Sequence, residues 1–367
     1  MCARLRPRGS DHDRRGCAVN PEVFAEWFRR QGHRVVRTAG SWWYEASPRV
    51  WQAFPHHWTL TPAPGELEEL LRSQRAVALR CSVPLDAPEG RVSYHTVWEG
   101  ADYGIVDLHG SVRGVVRKGM QRAQVEPVPL ARLAEEGWEL EVDTCRRQGR
   151  AVPLTREAWR RRHLAAADLP GFEAWGALVE GRLGACLLCV RVDDWCEALS
   201  HQSHSDFLAA RINNALTFGF TEGMTRRPGV KAIFYGLEGL DAPATVDEFK
   251  FRMGYRPVPV RQRVALHPWI PAAAVAPGHR VLAAAARRRP TSGTLGKAEG
   301  MLRFHLEGKR PAVEQRWPEC LREERPPARA RASAAAPAPA APVRRRGQRR
   351  PLPAPPPDPA TAAEPHP

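Results

Sequence analysis

A lysine between two phenylalanines is the strongest catalytic candidate in this sequence. Lys250 is one of only five lysines among 55 basic residues, and Phe249 and Phe251 flank it. An ammonium group held by apolar neighbours can stabilise negative charge that develops on a reacting oxygen. The alternative is a lysine whose stem lies along a helix surface while its ammonium stays in water. The first interpretation predicts that Lys250 is catalytic.

Two candidates for proton transfer stand at the end of a predicted strand over residues 230–237. Tyr235 precedes the strand end and Glu238 directly follows it. The Tyr235 hydroxyl can protonate a leaving group, and Glu238 can accept a proton if burial favours its neutral form. With a nearby cation they suit a reaction that needs proton transfer and a stabilised oxyanion. A packing tyrosine and a solvated carboxylate are the alternatives.

Asparagines and histidines supply weaker candidates. Asn213 and Asn214 stand near the start of a predicted helix, where they can bond substrate carbonyls or phosphates, or simply cap the helix. His201 and His204 are three residues apart in a predicted strand, so they face opposite sides and cannot form one metal site. Either histidine alone can serve as a base. The sequence therefore predicts no metal centre.

Several other chemistries lack their motifs. The sequence has no G-x-G-x-x-G, no G-x-x-x-x-G-K-[ST] and no G-x-S-x-G, which counts against dinucleotide, ATP and serine hydrolase sites. Its one C-x-x-C, Cys186 to Cys189, lies in an apolar run where strand alternation points the two thiols to opposite faces. We therefore expect buried, inert cysteines. With no secretory signal and no apolar run of about 20 residues, we expect a cytoplasmic protein without stable membrane insertion.

The net charge of +15 invites a nucleic-acid interpretation, but its distribution argues otherwise. Residues 1–18 carry a net charge of +3, residues 271–309 carry +5 and residues 310–367 carry +5, which leaves +2 for residues 19–270. A nearly neutral central region is typical of an enzyme domain rather than of a basic binding face. We expect nucleic acid to bind only non-specifically, or as a tRNA that carries a donor group.

Alternating helix and strand patterns predict the elements that must position these residues. Turn residues and helix caps place their boundaries. The predicted helices cover residues 21–31, 65–74, 108–123, 130–148, 158–167, 207–226 and 246–253, and the predicted strands cover residues 42–44, 49–58, 76–84, 92–98, 172–180, 182–192, 195–204, 230–237 and 258–266.

Residues 249–255, Phe-Lys-Phe-Arg-Met-Gly-Tyr, resemble the F-K-x-x-[FM]-G element of GNAT-like acyltransferases related to the Fem peptidyltransferases. Three further segments are similar and occur in the same order: residues 211–216, 234–237 and 240–243. The resemblance covers about residues 20–270. It implies an α+β fold of two tandem GNAT-like α/β sandwich domains, with mixed and mainly antiparallel sheets and a transferase cleft in or beside the second domain.

The implied organisation has five parts. A disordered segment covers residues 1–18, an N-terminal GNAT-like domain 19–128 and a C-terminal GNAT-like acyltransferase domain 129–270. A basic helical or irregular extension covers 271–310, and an Ala/Pro/Arg-rich tail covers 311–367. The tail has too few large apolar residues to build a core, so we expect it to be disordered.

The resemblance also implies ligands. Acyl-coenzyme A is the expected co-substrate and aminoacyl-tRNA the other possible donor, with Arg211, Asn213, Asn214 and Phe249 as donor-binding residues. The acceptor is an amine on a small molecule, a lipid or a cell-wall precursor. However, residues 207–213 contain no glycine where a GNAT phosphate loop is glycine-rich.

Two functions follow. The first is an acyltransferase that forms an amide on an amine acceptor by N-acetyl or aminoacyl transfer. The second is a catalytically inactive GNAT-like binding protein whose basic tails recruit an acidic or nucleic-acid partner.

Overall fold

The computed structural model describes residues 20–240 and 244–325. The predicted disordered segment 1–18 and part of the predicted loop 240–243 lie outside these residues. Its α-helices are α1 (Pro21–Arg30), α2 (Glu66–Ser73), α3 (Gly110–Arg122), α4 (Leu130–Arg147), α5 (Arg156–Leu164), α6 (Ile212–Thr225), α7 (Ala244–Arg252), α8 (Ala272–Arg288) and α9 (Gly293–Gly308). Its strands are β1 (Val35–Arg37), β2 (Trp42–Ser47), β3 (Val50–Phe54), β4 (Ala78–Val83), β5 (Arg91–Glu99), β6 (Gln124–Val128), β7 (Phe172–Val179), β8 (Arg182–Val192), β9 (Trp195–Ser203), β10 (Ala232–Leu237) and β11 (Arg256–Leu266).

Most predicted elements are confirmed within a few residues, because their caps and turns are local signals. The Asn20 side chain accepts a hydrogen bond from the Glu22 amide at 2.9 Å and starts α1. One predicted helix differs: residues 207–226 are divided into a 3₁₀ turn over residues 205–210 and helix α6. Arg211 separates them with a left-handed φ of 60°. This break sets the direction in which α6 starts.

All eleven strands join one sheet in the order β1-β2-β3-β4-β11-β5-β10-β9-β8-β7-β6. Only β3 with β4 and β9 with β10 pair in parallel, so the sheet is mixed and mainly antiparallel, as predicted. Strand β10 also pairs antiparallel with β5, and β11 pairs with both β4 and β5. The predicted segments 19–128 and 129–270 therefore share one continuous sheet.

Helices cover both faces of this sheet. One apolar cluster packs α3 and α6 against β7 to β10, and a second packs α1, α4 and α5 against the opposite face. Cys189 lies in the first cluster and Cys186 in the second, and both are fully buried. The prediction that their thiols point to opposite faces is confirmed, as the alternation of side chains along β8 requires.

The start of the predicted disordered tail is wrong. Residues 311–325 fold onto the sheet, with Gln315, Trp317 and Leu321 buried. The Gln315 side chain accepts a hydrogen bond from the Val92 amide at 2.7 Å and donates one to the Gly90 carbonyl at 3.0 Å. A few isolated large side chains suffice to anchor this segment, although its average composition predicts disorder. The remaining tail, 326–367, lies outside the described residues.

Candidate functional site

Backbone pairing between β9 and β10 stops partway along the two strands, and the place where they separate is called the opening below. The two strands pair only where residues Trp195–Glu197 of β9 lie beside residues Ala232–Phe234 of β10. Beyond this point the pairing register of β9 shifts against β8, and that of β10 shifts against β5. Parallel strands that part at their carboxyl ends leave a crevice, which is a common place for ligands in open sheets.

Tyr235 and His201 face each other across this opening. The Tyr235 hydroxyl lies 2.7 Å from His201 Nδ1 and 3.5 Å from Thr217 Oγ1 of α6. Burial raises the pKa of Tyr235 well above its usual range, and burial lowers the pKa of His201 to about 4. At neutral pH the pair is therefore a protonated phenol beside a neutral imidazole. This pair carries no charge in its resting state. The phenol can donate a proton and later regain one, after which the pair is again uncharged.

Asn213 borders the same opening from the first turn of α6. It lies close enough to His201 to oppose, in part, the effect of burial on the pKa of that histidine. Yet neither Asn213 Oδ1 nor His201 Nε2 has a partner with hydrogen-bonding geometry among the described residues. Buried polar atoms are usually paired, so either a small adjustment that joins the two side chains or a ligand that bonds to one of them would satisfy these atoms.

Lys250 reaches the opening from α7. Its ammonium lies 5.6 Å from the centre of the Tyr235 ring and donates a hydrogen bond to Asp247 Oδ1 at 2.7 Å. Its side chain is 13% exposed. Lys250 is therefore not a surface lysine with its ammonium in water, which was the alternative interpretation. Gly236 has φ of 127°, and a Cβ at this position would lie 3.6 Å from the Lys250 ammonium. A Cβ at this distance would be an ordinary contact, so it is the positive φ that favours glycine here.

The end of the F-K-F-R-M-G-Y segment fixes α7 to the core. Met253 is fully buried, and its carbonyl accepts a hydrogen bond from the Tyr103 hydroxyl at 2.6 Å. Gly254 has φ of 91°, and a Cβ there would meet the Asp107 carbonyl oxygen at 2.9 Å, so this position requires glycine. Tyr255 continues into the core, where its hydroxyl lies 2.7 Å from Thr221 Oγ1.

In the segment that precedes α6, residues 205–211, several backbone amides already donate hydrogen bonds within the protein. The amides of Phe207 and Arg211 bond to carbonyls within the segment, and the Ser205 amide bonds to Asp143. Phe207 packs against Gly184, where a Cβ would meet its ring at 2.8 Å. A phosphate bound here would therefore meet arginine side chains rather than a glycine-rich loop of free amides.

Basic side chains gather beside the start of α6. Helix α3 approaches closely, because a Cβ on Gly119 would lie 3.0 Å from the Arg211 carbonyl oxygen. Arg122 donates a hydrogen bond to the Ala209 carbonyl at 3.1 Å, which holds its guanidinium near Arg211. Arg117, Lys118, Arg122 and Arg211 are all exposed. This basic face can receive an anionic group.

The remaining predicted site residues have structural partners. The Asn214 side chain donates a hydrogen bond to Met253 Sδ at 3.6 Å, and Phe249 packs against the core cluster around α6. Glu238 is bound to the buried Arg91, whose Nη1 lies 2.7 Å from Glu238 Oε2. Arg91 also pairs with Glu307 at 2.9 Å. The Glu238 carboxylate is thus engaged in an ion pair, and its role as a proton acceptor stays a prediction.

Sequence reasoning missed two residues next to Lys250. Asp247 is 5% exposed and binds both the Lys250 ammonium and the Tyr94 hydroxyl. The spacing of three residues between Asp247 and Lys250 is a signal of a pair on a helix. Tyr94 is 153 residues away from Asp247, so nothing local could have connected them.

Comparisons with known proteins give distant likenesses of fold. No protein-family model and no curated protein sequence matches this chain. The C-terminal domain of a putative lysylphosphatidylglycerol synthetase from Agrobacterium fabrum is similar with a TM-score of 0.46 and 11% identity, over 66% of this chain and 87% of that one. FemX is similar with a TM-score of 0.47 and 11% identity, over 65% and 90%. A tandem GNAT protein from the clavulanic acid biosynthesis pathway is similar with a TM-score of 0.40 and 14% identity, over 63% and 81%.

Within residues 20–240 and 244–325, no three His, Cys, Asp or Glu side chains are arranged to hold a metal ion. None of the helices in these ranges is both long and apolar enough to cross a membrane.

Proposed function

We propose that this protein is an acyltransferase that joins the acyl group of an activated donor to an amine acceptor and forms an amide. The observation that carries the proposal is the meeting of the Lys250 ammonium, the Tyr235 hydroxyl and His201 where β9 and β10 separate. The cation can stabilise the oxyanion and the phenol can protonate the leaving group, which are two of the needs of amide formation from an ester or thioester.

The reaction runs through a tetrahedral intermediate. The neutral amine attacks the acyl carbon, a C–N bond forms, and the carbonyl oxygen becomes an oxyanion beside the Lys250 ammonium. The C–S or C–O bond to the carrier then breaks, and the leaving sulfur or oxygen takes the Tyr235 proton. The proton lost by the attacking amine returns to Tyr235 through His201, so that the site is restored. The hydrogen bond of 2.7 Å between these two side chains provides the path.

The donor carries its acyl group on a phosphate-bearing carrier. Acyl-coenzyme A and aminoacyl-tRNA both fit this description, and the exposed Arg122 and Arg211 stand where such phosphates would approach the opening. The unpaired Asn213 Oδ1 adds a polar contact for the donor. Both donors are made in the cytoplasm, which is where we propose that the protein acts. The acceptor is an amine on a small molecule, a lipid or a cell-wall precursor.

Donor binding is the first test. Calorimetric titration of the full chain with acetyl-coenzyme A, and filter binding with an aminoacyl-tRNA, are each expected to identify a saturable donor. Matched titrations with free coenzyme A and with uncharged tRNA separate recognition of the carrier from recognition of the acyl group. Arg211→Ala should weaken the productive donor, whereas Arg226→Ala, an exposed arginine at the other end of α6, should not. If neither donor saturates, the binding-protein alternative is favoured.

A further inference from the structure

One buried carboxylate holds the Lys250 ammonium from two parts of the fold. Asp247 Oδ1 accepts a hydrogen bond from Lys250 Nζ at 2.7 Å, and Asp247 Oδ2 accepts one from the Tyr94 hydroxyl at 2.7 Å. Asp247 and Lys250 lie on α7, whereas Tyr94 lies on β5. The carboxylate thus ties the lysine to the sheet.

Tyr94 is itself held firmly. Its ring packs with Trp317 and Leu321, and Phe251 lies 5.8 Å away, centre to centre. Burial, and the hydrogen bond to Asp247, raise the pKa of Tyr94, so the phenol stays protonated and can only donate to the carboxylate. A fixed donor on one oxygen of Asp247 leaves the other oxygen oriented toward Lys250.

A lysine ammonium stays in one place only if a partner such as the Asp247 carboxylate holds it. Its four-carbon stem is flexible, and its three donors have no fixed plane. The pair with Asp247 holds the charge beside the Tyr235 ring and close to Gly236. The geometry therefore restricts the ammonium to one place.

We propose that Asp247 is a positioning residue that sets the place of Lys250, and that Tyr94 fixes Asp247 in turn. The proposal rests on the proposed catalytic role of Lys250, but its first test does not depend on that role. Neither residue needs to touch the substrate. Their effect would reach the reaction only through the ammonium.

Reductive methylation with formaldehyde probes Lys250 directly, because an amine that is held by a hydrogen bond to a carboxylate reacts more slowly than one that is released. The full chain is labelled at fixed pH, and the peptide that carries Lys250 is quantified by mass spectrometry. Asp247→Asn keeps the shape of the side chain but removes its charge. We expect the labelling of Lys250 to rise about tenfold or more, because this change corresponds to the loss of one hydrogen bond to a charged group. Glu248→Gln is the matched control. It removes the next carboxylate along α7, which is exposed and pairs with Arg252, and should leave the labelling of Lys250 unchanged.

Tyr94→Phe is the second variant, in case Asp247→Asn does not fold. It keeps the ion pair and removes one hydroxyl, so a smaller rise in labelling of about threefold is expected. Transfer by either folded variant should fall mainly in kcat, with KM for the donor nearly constant, because the ammonium acts on the oxyanion. A folded variant of either kind that labels Lys250 at the wild-type rate would overturn the proposal. If Lys250→Met instead transfers at the wild-type rate, the catalytic role fails while the labelling result still stands.

Discussion

His201 and Tyr235 belong to strands that have already separated, yet their side chains are joined by a hydrogen bond of 2.7 Å. Backbone pairing between β9 and β10 ends at Glu197 and Phe234, one residue before Tyr235. The side chains therefore bridge the gap that the backbones leave. The proton donor and its partner thus meet where the strands separate, while the Tyr235 ring packs in the core cluster around α6.

Lys250→Met should remain folded, since methionine has similar length and helix propensity. The rate of transfer should fall by about 10²–10³, which is typical for the loss of one group that stabilises an oxyanion. Lys250→Arg should also transfer poorly, because a planar guanidinium places its donors differently. Single-turnover transfer with the donor that binds, together with circular dichroism, measures both effects. A folded Lys250→Met protein with the wild-type rate would remove Lys250 from the mechanism.

Tyr235→Phe should lower the rate by about 10²–10⁴, the usual contribution of a general acid. Tyr255→Phe is the matched control, because its ring lies 5.0 Å from that of Tyr235 and its hydroxyl bonds to Thr221 inside the core. The control should lose about 1 kcal/mol of stability and little activity. Equal losses of rate in both variants would show that Tyr235 acts through packing alone.

Glu197 lies on the face of the sheet opposite to Tyr235, and it predicts how the stability of the protein depends on pH. Burial alone would raise the pKa of this fully buried carboxyl, but hydrogen bonds from His56 at 2.9 Å and His57 at 2.7 Å outweigh burial and hold the pKa well below its usual range. A depressed pKa in the folded state stabilises the protein above pH of about 4.3, and this contribution is lost as the pH falls below that value.

Glu197→Gln should therefore destabilise the protein by about 3–5 kcal/mol at pH 7, as expected when one partner of a buried pair is removed. The difference in unfolding free energy between wild type and variant should shrink as the pH falls from 5 to 3. Urea unfolding at each pH measures it. A difference that stays constant over this range would show that the charge of Glu197 does not stabilise the fold.

Deletion of residues 326–367 should change the melting temperature by less than about 2 °C, because their composition offers no apolar anchor. Deletion from residue 311 should lower it by about 6 °C or more, since the loss of the buried Trp317 and Leu321 removes several kcal/mol. Differential scanning calorimetry of the two truncated chains compares them. Equal melting temperatures would show that residues 311–325 contribute no stability.

The sequence by itself determined the helices, the strands and the place of Lys250 between two phenylalanines on a helix. These depend on local signals, such as the Asn20 cap, the alternation that separates Cys186 from Cys189, and the glycine at position 254. Each signal acts over a few residues, so it can be interpreted without knowledge of the fold.

Only the tertiary structure decided which distant residues meet. Arg91 and Glu238 are 147 residues apart, and their pairing turns a predicted proton acceptor into half of an ion pair. Tyr94 reaches Asp247 because β5 is the neighbour of β10. Residues 311–325 are ordered because Trp317 and Leu321 pack with Tyr94. The order of strands in a sheet follows from the packing of the whole chain, and no local pattern encodes it.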